Sequence, residues 1–342
     1  MNLINQDYIE LKREIEVKGL LNYTPWYYFY FFVINILLIS AFFIVIFYFK
    51  SWYAITLVSV PMTILFMQFA YLGHDAGHRA ISQKDSINEL AGQFSLTFLI
   101  GLCFSYWDYR HSQHHSNPNH EDLDPDIVGG DPMSFTKNQA QKKFGLKRLI
   151  TRYQSFLIFP AFIIILFVLK ITSFTYAIKN RKWSDLFLIC SHLIFFLIFV
   201  PYLIGFPKAI VLYLLITILT NIHFSFSFFP NHLGMPILSK ENKLSFVEKQ
   251  ILTSRNIKGG KFHDFILGGL NYQIEHHLFP RISRKNLPEI KSIVRDFCLK
   301  MDIHYQDDTL AKAWKDIFIY LNNIGKFANV KFSVLRAASS MV

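Results

Sequence analysis

Long apolar runs constrain the fold of this 342-residue chain more than any other feature of its sequence. Four runs, at residues 27–49, 53–72, 185–206 and 208–229, are long enough to cross about 30 Å of hydrocarbon as α-helices. Very short turns join the first run to the second and the third to the fourth. The sequence therefore predicts an all-α integral membrane protein in which four transmembrane helices form two hairpins.

The overall composition agrees with a multi-pass protein in a lipid bilayer. Hydrophobic residues make up 52% of the chain, and the formal net charge is +11. A basic chain can bind nucleic acid, but here the lysines and arginines flank apolar runs and form no nucleic-acid recognition motif. We therefore expect a membrane partner and no nucleic acid.

The distribution of positive charge predicts how the spans are oriented. Residues 73–184 carry thirteen lysines and arginines, whereas each short turn between paired spans carries one lysine. The positive-inside rule places that segment and both termini in the cytoplasm. We expect a cytoplasmic segment at residues 1–26, a membrane domain at 27–304 and a cytoplasmic tail at 305–342. The composition favours a bacterial plasma membrane.

Seven of the thirteen histidines lie in three short windows: HDAGH at residues 74–78, HSQHH at 111–115 and QIEHH at 273–277. In the first window, and between the first and last histidines of the second, the spacing is four residues, which puts imidazoles on one face of a helix. Seven imidazoles exceed the needs of one tetrahedral zinc site and suit two transition metals. The windows predict a histidine-rich cap beyond the ends of the spans.

Two shorter apolar runs, at residues 90–106 and 154–169, could by length be spans, interfacial helices or re-entrant segments. If the three histidine windows share one site, an even number of crossings must separate them. The hairpin at residues 185–229 supplies two crossings. We therefore expect neither short run to cross the membrane alone, and predict interfacial or partly inserted helices.

Simpler interpretations apply to other histidines and to other classes of protein. We expect His192, His263 and His304 to be ordinary hydrogen-bonding residues. The first window differs from the H-E-x-x-H helix of zinc peptidases because Asp75 replaces the glutamate base. A metal transporter is a rival, but transporters place ionisable residues near the bilayer midplane, whereas these windows lie outside the spans.

The three windows, in this order and at these intervals, resemble the histidine boxes of membrane-bound fatty acid desaturases. Gln273 at the start of the third window resembles the front-end and bacterial linoleoyl-CoA-desaturase-like branch. The flanking stretches TSRNI at residues 253–257, GGLNYQIEHHLFPRISRKNLP at 268–288 and HHSNPNHEDLDPDI at 114–127 resemble the same branch. The resemblance covers roughly residues 53–295.

This resemblance implies a non-haem centre of two iron ions that uses dioxygen and two electrons to desaturate a fatty acyl lipid or acyl-CoA. A hydroxylase on the same scaffold is the alternative. The implied iron ligands are His74, His78, His111, His114, His115, His276, His277 and, just after the last span, His232, with His223 as the weaker alternative.

Further residues near the windows are expected to support the ligands. Hydrogen-bond acceptors hold the outer nitrogen of metal-bound imidazoles, and the candidates here are Asp124 and Glu275 first, then Asp75. Gln273 is expected either as a ligand or in support. The chain has no stretch resembling the cytochrome b5 domain fused to many front-end desaturases, so we expect a separate electron donor of the ferredoxin or cytochrome b5 type.

Overall fold

Helices make up nearly all the regular structure of the computed structural model, which describes residues 3–328. Within that range the α-helices are α1 (Leu3–Val17), α2 (Pro25–Phe49), α3 (Trp52–Gly77), α4 (Asp85–Gly92), α5 (Phe104–Ser116), α6 (Pro125–Val128), α7 (Lys137–Gln141), α8 (Gly145–Arg152), α9 (Gln154–Ala161), α10 (Ile165–Lys179), α11 (Trp183–Ile194), α12 (Val200–Ile204), α13 (Phe206–His232), α14 (Phe246–Leu252), α15 (Lys261–Ile266), α16 (Gln273–Leu278), α17 (Leu287–Lys300) and α18 (Leu310–Phe327).

Three other helical stretches and one small sheet complete the described residues. Gln93–Ile100 and Phe195–Phe199 are π-helical, and Arg284–Asn286 is a 3₁₀ turn. The strands β1 (Asn256–Ile257) and β2 (Asp307–Asp308) pair in parallel. The predicted cytoplasmic tail therefore includes β2 and α18, and its residues 329–342 lie outside the described residues, as do residues 1–2 of the N-terminal segment.

Among residues 3–328, four helices are long and apolar enough to cross a membrane, which confirms the predicted fold class. They are α2, α3, the continuous run from α11 through α12 (Trp183–Ile204) and α13. The turn predicted at residues 207–208 was misplaced, because the chain breaks at Gly205, which adopts a φ of 88°. Glycine adopts such angles without steric cost, and Pro207 lies in the first turn of α13, where its missing N–H is harmless.

The two ambiguous apolar runs form sharply bent pairs of helices. The segment Asp85–Ile100 meets α5 at an angle of 111°, and α9 meets α10 at 68°. Each bend lies within one of the runs that were expected to be interfacial or partly inserted. The angles favour segments that enter the apolar layer and turn back.

Distances between histidines decide whether the bent pairs cross. The Nε2 atoms of His74 and His111 lie 3.2 Å apart, so the first bent pair returns to the side from which it leaves. The Nε2 atoms of His115 and His276 lie 3.1 Å apart across the second bent pair and two full spans, which gives the same result. Within residues 3–328, the geometry therefore favours four crossings and not six.

Buried polar side chains satisfy the backbone at both bends. At the second bend, the Asn221 side chain donates to the carbonyl of Ile163 at 2.7 Å and accepts from the N–H of Leu166 at 3.2 Å. At the first, the Asp185 carboxylate accepts from the N–H of Phe104 at 3.2 Å. Irregular backbone in an apolar layer is tolerated only where protein groups supply such partners.

A buried ion pair joins the cap to the spanning helices. The guanidinium Nε of Arg284, which precedes α17, donates to the Asp75 carboxylate on α3 at 2.5 Å. The Tyr28 hydroxyl on α2 donates to the same carboxylate at 2.9 Å. These contacts hold the segment that carries the third histidine window above the end of α3.

We predict that Asn221→Ala destabilises the protein, because it removes the partners of the buried N–H of Leu166 and of the partly buried carbonyl of Ile163. Leaving a buried backbone group unpaired costs about 1–3 kcal/mol. The midpoint of thermal unfolding in detergent should fall well below that of the unmodified protein. Ser191→Ala is the matched control, since Ser191 is only partly buried on α11 and its side chain bonds only to its own helix. Equal midpoints for the two variants would contradict the role given to Asn221.

Candidate metal centre

A first group of imidazoles gathers where α3 ends. His74 lies in the last turn of α3 and His78 caps the helix, so their four-residue spacing puts both rings on one face. His111 of α5 and His276 of α16 approach from the other side. The four ligand atoms lie within 4.8 Å of one another, close enough for one metal ion to contact all four.

A second group lies beside the first and draws on a different set of elements. His114 of α5, His232 at the end of α13 and His277 of α16 bring one ligand atom each to within 4.8 Å of the others. His114 follows His111 by three residues, so α5 serves both groups. His276 and His277 are adjacent and point to different groups, as their neighbouring positions require.

The eighth imidazole, His115, lies between the two groups. Its Nε2 atom is 3.1 Å from the Nε2 atoms of both His111 and His276. Its ring stacks on His277 with the centroids 4.1 Å apart. The structure thus brings together all eight histidines that the sequence singled out as ligands.

Carboxylate and carbonyl acceptors fix the orientation of two rings in the second group. Asp124 accepts from Nδ1 of His114 at 2.8 Å and is itself fully buried. The backbone carbonyl of Thr253 accepts from Nδ1 of His232 at 2.9 Å. Because Nδ1 carries the proton in each ring, Nε2 presents a lone pair to the interior.

The same arrangement occurs at two further histidines. The side-chain oxygen of Gln250 accepts from Nδ1 of His277 at 2.8 Å. Asp75 lies 3.3 Å from Nδ1 of His74, and its other oxygen accepts from Arg284. Each group therefore contains rings whose outer nitrogen is held and whose inner nitrogen is free for a cation.

The inner nitrogens have the chemistry of a metal site. Nε2 of His114 lies 3.2 Å from Nε2 of His232, and such contacts between lone pairs repel unless a cation lies between them. Nε2 of His78 and of His277 are buried without a hydrogen-bond partner among the described residues. Unpaired buried acceptors are costly, so the donor set fits transition-metal ions.

The imidazoles of α16 are also in the protonation state that a metal requires. Burial, followed by the proximity of other imidazoles, holds the pKa values of His276 and His277 well below the usual range for histidine. Both rings are therefore neutral at physiological pH. Neutral imidazole is the form that binds metal.

Two polar residues of α16 are placed differently with respect to the cluster. The amide nitrogen of Gln273 lies 2.9 Å from Nε2 of His232, next to the second group. Glu275 points away and accepts from Asn256 and from the Tyr305 hydroxyl, both at 2.7 Å. Burial raises the pKa of Glu275, and its bonds join α16 to β1 and the segment before β2.

The remaining histidines lie outside both groups. His223 donates to the carbonyl of Ile266 at 2.8 Å, and His192 donates to the carbonyl of Phe98 at the same distance. His304 is exposed at the surface. His232, and not His223, is thus the histidine after the last span that joins the cluster.

Sequence reasoning missed several residues that hold the ligands. Gln250 lies on α14 at no recognisable spacing from any histidine window, so no signal in the sequence indicates it. Arg284 lies within the stretch that resembles desaturases, but nothing in that stretch predicts its pairing with Asp75. Thr253 opens the TSRNI stretch, whose resemblance marked the segment without giving the role of its backbone carbonyl.

A small apolar cavity begins at the first group and extends between the spanning helices. His74 and Trp107 border its upper end, and Phe228 of α13 forms part of its side. The rest of its lining is apolar apart from Thr220. Such a cavity suits a hydrocarbon chain better than a polar substrate.

Comparison with known proteins identifies the family. The family model described as "Fatty acid desaturase" matches residues 50–309. The chain is 30% identical over 276 residues to the mouse (Mus musculus) "Fatty acid desaturase 2-like protein FADS2B", covering 78% of this chain and 56% of that protein. It is 31% identical over 260 residues to the "Delta(8)-fatty-acid desaturase" of Borago officinalis, covering 70% and 57% respectively.

A third relative gives the same result. "Fatty acid desaturase 3" of Bos taurus is 30% identical over 282 residues, which cover 80% of this chain and 62% of the bovine protein. The matched region thus spans less than two thirds of the length of each of these relatives. Because the family model matches well over half of the sequence, the chain belongs to the fatty acid desaturase family.

Proposed function

We propose that the chain is an oxygen-dependent fatty acyl desaturase. The observation that carries this proposal is the position of the first histidine group at the end of an apolar cavity between spanning helices, with the second group beside the first. Membership of the desaturase family supports the same reaction. We assign it to a membrane domain at residues 27–304, flanked by segments at 1–26 and 305–342.

We propose two iron ions as the metals. His74, His78, His111 and His276 would hold one, His114, His232 and His277 the other, and His115 lies where it can serve either. Bound iron would supply the oxidising power, with dioxygen and two electrons as co-substrates, to remove two hydrogens from an unactivated acyl chain.

The protein's own residues would position these groups and exclude water. Asp124, Gln250 and the Thr253 carbonyl fix ring orientation, and Gln273 packs beside the second group as a supporting residue. Trp107 stacks on His111 with the ring centroids 4.4 Å apart, which closes the upper end of the cavity with an apolar surface. A dry site would protect the reaction from side products.

The substrate we propose is the acyl group of a lipid or of acyl-CoA, because the cavity is apolar and lies between membrane-spanning helices. The two electrons would come from a separate donor of the ferredoxin or cytochrome b5 type. The net charge of +11 supports such a partner, since complementary charge raises the rate of encounter with an acidic protein.

We also propose that the metal centre and both termini face the cytoplasm, in a bacterial plasma membrane. Residues 73–184, which include the first two histidine windows, carry thirteen lysines and arginines, and the positive-inside rule favours the cytoplasm for such a segment. In a variant without native cysteines, Ser239→Cys should react with a membrane-impermeant maleimide only after the cells are opened, and Ser51→Cys should react in intact cells. The reverse pattern would contradict this orientation.

Fatty acid methyl ester analysis of an expressing host tests the proposed reaction directly. We predict new monounsaturated or further unsaturated products that depend on oxygen and are absent from cells carrying the empty vector. Hydroxylated acyl chains in place of new double bonds would favour the hydroxylase alternative. An unchanged acyl profile in cells that contain folded, iron-loaded protein would contradict the proposed function.

We predict that His277→Ala abolishes desaturation and lowers the iron content of the purified protein while leaving its membrane insertion intact. The reason is that His277 offers a buried, unpaired nitrogen to the second group. His304→Ala is the matched control, because His304 is exposed and lies outside the cluster. Full iron content and activity in His277→Ala would refute the ligand assignment.

A further inference from the structure

The short helix α15 lies between the last span and the third histidine window, and side chains of two spans hold its final residues. The side-chain amide of Gln68 on α3 donates to the carbonyl of Phe265 at 2.7 Å. The Tyr71 hydroxyl donates to the carbonyl of Ile266 at 2.9 Å, and Nε2 of His223 on α13 donates to the same carbonyl at 2.8 Å. The end of α15 therefore packs against the sides of two spanning helices.

The positions of these side chains along the spans give the depth of α15. Gln68 follows Trp52, the first residue of α3, by about sixteen residues, which is about 24 Å at 1.5 Å per residue. His223 follows Phe206, the first residue of α13, by about seventeen residues, or about 26 Å. A hydrocarbon core about 30 Å thick that begins where the spans begin ends beyond both residues. The end of α15 thus lies within the leaflet on the side of the metal centre.

The hydrogen bonds at the end of α15 are those that a water-poor environment requires. The last carbonyls of a helix have no partner within the helix and are often satisfied by water. Here polar side chains of the spans, from Gln68, Tyr71 and His223, take that place. Asn221 and Asp185 serve the backbone in the same way at the two bends in the apolar layer. The local bonding therefore agrees with the depth.

The outer surface of α15 and of the turn before it combines exposed aromatic rings with exposed cations. Phe262 is 71% exposed and Phe265 is 46% exposed. Lys258 and Lys261 are exposed as well. Aromatic side chains insert favourably at the boundary between headgroups and acyl chains, and lysines extend their ammonium groups from there to the lipid phosphates.

The inner surface of α15 is joined to the third histidine window. The Asp264 carboxylate accepts from the side-chain amide of Asn271 and from the Tyr272 hydroxyl, both at 2.8 Å. Tyr272 immediately precedes α16, which carries His276 and His277. A change in the depth of α15 must therefore break these bonds or move the segment that positions α16.

From these contacts we propose that α15 is immersed in the leaflet on the side of the metal centre and binds phospholipid. The rings of Phe262 and Phe265 lie among the acyl chains, and the ammonium groups of Lys258 and Lys261 pair with headgroup phosphates. This contact fixes the height of the α16 imidazoles relative to the bilayer. The inference concerns lipid contact and does not rest on the reaction proposed for the metal centre.

Spin labels measure this depth through collisions with oxygen, which concentrates in hydrocarbon, and with a nickel chelate, which stays in water. Only Cys190 among the three cysteines is exposed, so Cys190→Ser supplies a background in which an introduced thiol is the accessible one. In bilayer nanodiscs of phosphatidylcholine and phosphatidylglycerol, a label at Phe262→Cys should collide with oxygen several-fold more often than with nickel. A label at Lys258→Cys should give a ratio near one, as expected at the depth of the headgroups.

Two exposed positions are the matched controls. Leu57 on α3 is 78% exposed and supplies the ratio for hydrocarbon, and Phe246 on α14 in the cap is 51% exposed and supplies the ratio for water. Circular dichroism of each labelled variant checks that the helical content is retained. Phe265→Cys is the second position on α15 and replaces Phe262→Cys if that variant loses helical content.

The result expected on α15 is a ratio close to that at Leu57. A ratio equal to that at Phe246 would place α15 in water and overturn the proposal. Few collisions with either reagent would mean that a protein surface covers α15, and that result would also overturn it.

Discussion

The convergence of eight imidazoles is the constraint on which the rest of the structure depends. They come from the end of α3, from α5, from the end of α13 and from α16, segments that are far apart in the sequence. Their inner nitrogens carry lone pairs that repel one another at close range, an arrangement that cations between them would stabilise. Every connecting segment must bring these nitrogens back to one place.

That requirement determines how the chain passes through the membrane. Segments between histidine windows must return to the side they leave, which accounts for two bent helix pairs among four full spans. The bends expose backbone groups in an apolar environment, and Asn221 and Asp185 satisfy them at the cost of burying polar side chains. The apolar space left between these helices reaches the metal centre, where an acyl chain would need it.

Sequence alone predicts the features that follow from composition and local spacing. The lengths of the apolar runs predict the four spans, and helical periodicity predicts that histidines four residues apart share a helix face. The need for an even number of membrane crossings between the histidine windows predicts that the two shorter runs do not cross alone. It cannot predict contacts between distant segments, such as Gln250 with His277 or Arg284 with Asp75, because no local pattern encodes them. The break at Gly205 depends on a single backbone angle. The sequence predicts Glu275 as an acceptor for a histidine ring, whereas its carboxylate accepts from Asn256 and Tyr305.

Elemental analysis of the purified protein in detergent tests the central claim, that the histidine cluster holds two iron ions, most directly. The account predicts two iron ions per chain, removed together by a strong chelator under conditions in which the helical content is retained. A single tightly bound ion per chain, or zinc in place of iron after growth in iron-sufficient medium, would contradict it.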